Sequence, residues 1–113
     1  MAYSQEYIDL LDSMKQLHKD KNAGYAGDST DPWANFRECT KFGISVEEGI
    51  ITRLCDKWSR IRSLWNNPAN DKVNESLDDT IIDMMAYLGI WRTIRNEVRT
   101  NEYTTFSSYS VEE

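Results

Sequence analysis

An all-α fold is what three features of the sequence predict. Apolar residues recur at three- and four-residue intervals along three long stretches. Helix starters stand ahead of two of them, Ser45 and the Asn74/Ser76 pair, and Gly24, Gly27 and Asn66-Asn67-Pro68 interrupt the chain behind two. The length, 113 residues, fits one compact domain with little to spare. The fold expected is a bundle of three long helices with a long aromatic loop, completed by oligomerisation.

The first stretch, 3–20, places Tyr3, Tyr7, Leu10, Leu11, Met14 and Leu17 on one helical face. Gly24 and Gly27 are expected to end it. Segment 22–45 reads as a long loop with one short helix at about 33–41. It carries Tyr25, Trp33, Phe36 and Phe42, aromatic content that argues against disorder. A loop of this length in a small domain points to function.

The second stretch, 45–66, opens on Ser45 with Glu48 three residues on, the pattern of a capping box. Val46, Ile50, Leu54, Trp58, Ile61 and Trp65 form its apolar stripe, and Pro68 stops it. The third, 74–98, is capped by Asn74 or Ser76 and carries Leu77, Ile81, Met84, Met85, Leu88 and Trp91 on one face. The domain is therefore read as 1–99. Residues 100–113 are read as a polar and acidic tail, extended or mobile.

Composition narrows the function. The net charge of -6 and pI of about 4.8 exclude a non-specific binder of duplex nucleic acid, which needs a positive face. A phosphate ligand remains compatible, because divalent cations bridge carboxylate to phosphate. No apolar run nears the ~20 residues that span a bilayer, and the N-terminus lacks a secretory pattern. The expectation is a cytoplasmic protein with no membrane partner. Cys39 and Cys55 lack metal-type spacing and are read as reduced, buried, apolar side chains. His18 is the only histidine, so a histidine-based zinc site is not expected.

The chemistry-bearing pattern is a set of carboxylate rows. At about 100° per residue, Glu75, Asp79 and Asp83 fall in one row on the third helix. Glu48, Thr52 and Asp56 repeat that geometry on the second. Folded as an antiparallel hairpin across 67–73, the two helices bring Asp56 and Asp83 to similar heights, with Asp79 one turn away. Such carboxylates repel unless solvated, protonated, paired with cations or bound to a metal. Oxygen-only ligands suit Mg²⁺ or Mn²⁺. The plain readings are a helix dipole favouring Glu75, Asp78 and Asp79, an Asp56–Arg60 pair, or a solvated face.

Three blocks in order carry a resemblance: Asp31-Pro32-Trp33-Ala34-Asn35-Phe36, then Arg53-Leu54-Cys55-Asp56-Lys57-Trp58-Ser59-Arg60, then Asn74 to Asp83. Together they resemble the small phage and bacterial proteins called nucleotide modification associated domain 1, a group similar to the MazG-like all-α nucleoside triphosphate pyrophosphohydrolases. The resemblance covers about 5–95. It implies a MazG-like, oligomerising bundle with Mg²⁺ between two helices, and cleavage of an NTP or dNTP to monophosphate and pyrophosphate. Asp83 sits where the acid of the second family motif falls, although Glu75-Ser76-Leu77-Asp78 also fits that pattern. Ile51 stands where a third acid is expected on the second helix, with Asp56 as its substitute.

The roles that follow are hypotheses. Asp56, Asp79 and Asp83 would hold the metal, and Glu48 or Glu75 would serve as further ligand or as base for the attacking water. Lys57, Arg60 and Lys21 would balance phosphate charge. Tyr25 belongs to the same ligand-facing loop, Trp33 or Phe36 would stack on the base, and Asn35 would read its edge. Against these stand helix ion pairs for Lys57 and Arg60, a solvated Lys21, and Trp33 and Phe36 as a plug at the bundle's end. Trp58, Trp65 and Trp91 are assigned to core or interface. The expected partners are a nucleotide and a second or fourth copy of the chain, as homodimer or homotetramer. The rival function is a nucleotide sponge that sequesters a signal in phage anti-defence, without turnover; a third is a plain helical interaction module.

Overall fold

The computed structural model describes residues 2–25, 31–72 and 76–109, with side chains over 2–21, 31–72 and 76–100. Every regular element among them is helical. In order they are α1 (Gln5–Tyr25), a 3-10 helix (Ala34–Phe42), α2 (Val46–Asn66), a one-turn 3-10 helix (Pro68–Asn70) and α3 (Leu77–Tyr109). No described helix is long and apolar enough to cross a membrane. The chain divides into two compact units, Met1–Gly49 and Ile50–Glu113.

In the first unit, Ser4 caps α1: its Oγ accepts the Tyr7 N–H at 3.0 Å. Leu10 and Met14 are half-buried, while Tyr3, Tyr7, Leu11 and Leu17 are exposed. α1 runs through Gly24 instead of stopping before it. A glycine weakens a helix by about 1 kcal/mol but removes no backbone hydrogen bond. Gly27 lies outside the described residues.

The short helix expected at 33–41 is present as the longer 3-10 helix. Asp31 sets its start, with Oδ1 accepting the Trp33 N–H at 3.0 Å and Oδ2 accepting from Arg37 Nε at 2.6 Å. Gly43 ends it at φ +80°, where side chains are strained. The Gly43 N–H reaches Thr40 O (3.1 Å) and the Ile44 N–H reaches Cys39 O (3.3 Å), a Schellman closure. The chain then enters α2 through the expected capping box: Ser45 N–H donates to Glu48 Oε1 (3.0 Å), and Glu48 N–H to Ser45 Oγ (3.1 Å).

The second unit is an antiparallel hairpin of α2 and α3. The connection folds back along the last turns of α2, where Asn70 Nδ2 donates to Ser63 O at 3.0 Å and Arg60 Nη2 to Asp71 Oδ1 at 2.7 Å. The buried and half-buried positions on α2 include 50, 54, 57, 61 and 64; on α3 they include 77, 80, 84, 87, 91, 94 and 98. Both sets alternate steps of three and four, the spacing of a helix pair that crosses at a shallow angle. Ile50, Leu64, Ile94 and Thr80 are the fully inward residues. Thr80 is buried without a polar penalty because its hydroxyl donates to Ser76 O at 2.9 Å.

This face corrects the expected stripes. Steps of four drift about 40° each, so a row drawn through Ile50, Leu54 and Trp58 leaves the inner face by its end. Lys57 and Leu64 take the inward positions, and Trp58 and Trp65 stand exposed beside them. Ile81 and Leu88 are exposed on α3 for the same reason. Cys55, expected to be buried, is exposed; Cys39 is half-buried, and both thiols are free. α3 also continues to Tyr109, so the stretch from 100, expected to be extended or mobile, is helical as far as 109; 110–113 lie outside the described residues.

Candidate functional site: the Lys57–Asp83 crossing

One member of the carboxylate rows, Asp83, meets the facing helix. Lys57 Nζ lies 3.0 Å from Asp83 Oδ2, joining α2 to α3. Both side chains are largely withdrawn from water, 21% and 32% exposed. An ion pair so placed is screened less than a surface pair, and each partner offsets the other's desolvation. Burial of Lys57 follows from its place in the three-four row, and its long apolar stem suits that position.

The height match expected for the Asp56 region and Asp83 is thus realised through the neighbouring residue. Asp56 itself is exposed. Asp79 is exposed and serves a second capping box: Ser76 N–H donates to Asp79 Oδ2 (3.3 Å) and Asp79 N–H to Ser76 Oγ (3.1 Å). Ser76 is therefore the cap of α3. Glu48 spends Oε1 on the first box, and those hydrogen bonds from Ser45 hold its carboxyl below the ordinary glutamate range. Glu75 and Asn74 lie outside the described residues.

Arg60 pairs with Asp71 and not, as the plain reading had it, with Asp56. Asp71 went unnoticed because it lies in the connection, off any helical period. In the first unit, Trp33 is half-buried with its ring 5.4 Å from His18 and 6.3 Å edge-on to buried Phe36. These three rings form a small aromatic stack within the first unit. Asn35 and Lys21 are exposed, and Tyr25 closes α1 with its side chain outside the described residues.

The donor set bears on the metal. Among the described residues no three His, Cys, Asp or Glu side chains are grouped to hold an ion. A cage built wholly by protein does not fit. An ion shared with phosphates would need only one or two carboxylates, since Mg²⁺ completes its shell with water and phosphate oxygens. Asp83, half-buried and paired with Lys57, is the carboxylate that would take that part.

Compared with known families, curated proteins and solved structures, the chain matches none of them significantly.

Proposed function

We propose that the protein binds a nucleotide with Mg²⁺ on the α2–α3 hairpin, as a nucleoside triphosphate pyrophosphohydrolase of the MazG-like kind. The observation that supports it is the Lys57–Asp83 pair, which sets a cation and an anion at one level on two facing helices. Asp83 would hold the ion, with Asp56 and Asp79 to either side, and the ion would neutralise phosphate charge. Lys57, released from Asp83 as the ion arrives, would then face phosphate oxygens. The reading carries Mn²⁺ as a substitute ion, a homodimer or homotetramer, and a cytoplasmic setting in a bacterium or in a phage host.

The second reading, a sponge that retains its nucleotide intact, is favoured by one feature. Glu48 and Asp79 commit their carboxylates to helix caps, which weakens the case for a base that activates water.

The two readings separate in one experiment. Purified protein is incubated with Mg²⁺ and a panel of canonical, modified and cyclic nucleotides, beside Asp83→Asn, and products and retained ligand are read by mass spectrometry. The expected outcome is a monophosphate and pyrophosphate from one member, lost in Asp83→Asn. One equivalent of unaltered nucleotide retained in place of products would establish the sponge. Neither turnover nor retention would leave the carboxylate row a solvated face and end the nucleotide reading.

A further inference from the structure

Two arginines of α3 converge on one neutral oxygen. Arg92 Nη1 and Arg99 Nη2 each donate to Asn96 Oδ1, both at 2.9 Å. A guanidinium only donates, so the oxygen of the amide, not its nitrogen, is turned toward both. Arg92 lies one turn before Asn96 and Arg99 one turn after it, so the three side chains share a face of the helix, and all three are exposed. Arg95, half-buried, neighbours both arginines by the same three- and four-residue spacing. From 91 to 100 the chain carries three arginines and one glutamate, a local charge of +2 in a protein of net charge -6.

Ordinary helix electrostatics does not explain this cluster. The helix dipole favours cations in the last turn, but α3 continues to Tyr109 and its last turn holds no basic residue. Arg37, Lys41, Lys57 and Arg60 each meet a carboxylate. Arg92 and Arg99 are drawn to an amide. Two like charges on either side of one oxygen repel, and a neutral acceptor is a weaker partner than a charged one. Holding two long side chains there also removes rotamer freedom. An anion seated on the same donors would relieve the repulsion and make each hydrogen bond charge-assisted.

We propose that Arg92 and Arg99, held ready by Asn96 and with Arg95 at their edge, form a cradle that binds a dianionic phosphate group without a metal. The planar fork of arginine matches the paired oxygens of phosphate. A phosphate has oxygens enough for both forks at once and carries the charge to balance two cations, whereas a carboxylate offers two oxygens and a single charge. The cradle is separate from the Lys57–Asp83 crossing. Arg92 is nine residues beyond Asp83, which at about 100° and 1.5 Å per residue puts the two on opposite faces of α3, about 14 Å apart along its axis.

Titration of the full chain tests this, followed by NMR of the arginine Nε–Hε groups in metal-free buffer at constant ionic strength. Inorganic phosphate, pyrophosphate and phenyl phosphate are the probes, with chloride as control. The Arg92 and Arg99 signals should shift to saturation with at least one probe, half-saturating at ~1 mM or below. A response to phosphate or pyrophosphate alone assigns the cradle to a free anion; a response to phenyl phosphate as well extends it to phosphate esters. Arg92→Gln should weaken binding about tenfold. Asn96→Asp sets a carboxylate of the chain itself between the arginines and should weaken binding at least as much, with helicity unchanged by far-UV circular dichroism. The proposal is overturned by shifts that chloride reproduces, by the lack of saturation with every probe, or by either variant binding as tightly as wild type. Binding here needs no Mg²⁺ and no Asp83, so its failure leaves the nucleotide reading standing, and failure of that reading leaves the cradle.

Discussion

Lys57 occupies the inward position on α2 that a strict four-residue period assigns to Trp58, and the charge of Asp83 is what makes that position tolerable. Replacing Lys57 by Met keeps the stem's bulk but leaves Asp83 half-buried without this cation. Chemical denaturation should report a loss of about 1–2 kcal/mol. Asp83→Asn in the same background should then cost less than it does in wild type, by ~0.5–1 kcal/mol of coupling. Strict additivity would show that the 3.0 Å contact carries no energy.

Gly49 is a second residue whose identity is set by a neighbour. A Cβ there would lie 2.7 Å from Cys39 Sγ, and that sulfur is held against Phe36 O and Ser45 O at 3.4 and 3.5 Å. Gly49→Ala should therefore destabilise wild type, despite the ~1 kcal/mol that alanine gains over glycine in a helix. In a Cys39→Ala background the clash is gone and the same change should stabilise by roughly 0.5–1 kcal/mol. Thermal melts of the four variants decide this, and a loss in both backgrounds would place the obstruction elsewhere.

At the scale of elements, the sequence was most legible at helix starts. Ser45 with Glu48 was readable because a capping box is local, with both partners within three residues. Ser76 with Asp79 has the same spacing, but Asp79 also falls in an acidic row with Glu75 and Asp83, and that pattern hides its role in the cap. Helix faces were half legible. Ile50, Leu54 and Ile61 were placed on the inner side of α2, whereas Leu64 and Lys57 needed the three-four alternation that only the α3 partner enforces. The Asp71–Arg60 pair had no periodic signal at all.

The caps carry a pH consequence. Asp31 is held below the usual aspartate range, first by the hydrogen bond from Arg37 and then by the Trp33 N–H; Glu48 is lowered by Ser45. A carboxyl lowered on folding stabilises the fold above its unfolded pKa, and that stabilisation is lost as pH falls through the folded value. Stability should thus hold from neutral pH to about pH 4.5 and decline below about pH 4. Asp31→Asn, measured by urea denaturation at pH 6 and pH 3, should lose stability at pH 6 and lie closer to wild type at pH 3. A constant difference at both values would remove Asp31 from the acid transition.

On the scale of the whole chain, few of the described side chains are fully inward. The described core is Phe36 in the first unit and Ile50, Leu64, Ile94 and Thr80 in the second, while large apolar side chains on α1, α2 and α3 remain exposed. Covering those side chains by association, which the proposed reading carries, would add to the stability of a chain of 113 residues. If a dimer unfolds to two free chains, mass action enters the melting temperature. Each tenfold rise in concentration adds about 1.4 kcal/mol per dimer. With roughly 2 cal/mol/K per residue of unfolding entropy over two chains, that is ~3 °C per decade. Calorimetry from micromolar to near-millimolar concentration should show that slope in wild type and none in Trp58→Glu, which should melt at a lower temperature throughout. A wild-type melting temperature that does not move with concentration would mean that these few inward residues hold the fold without a partner.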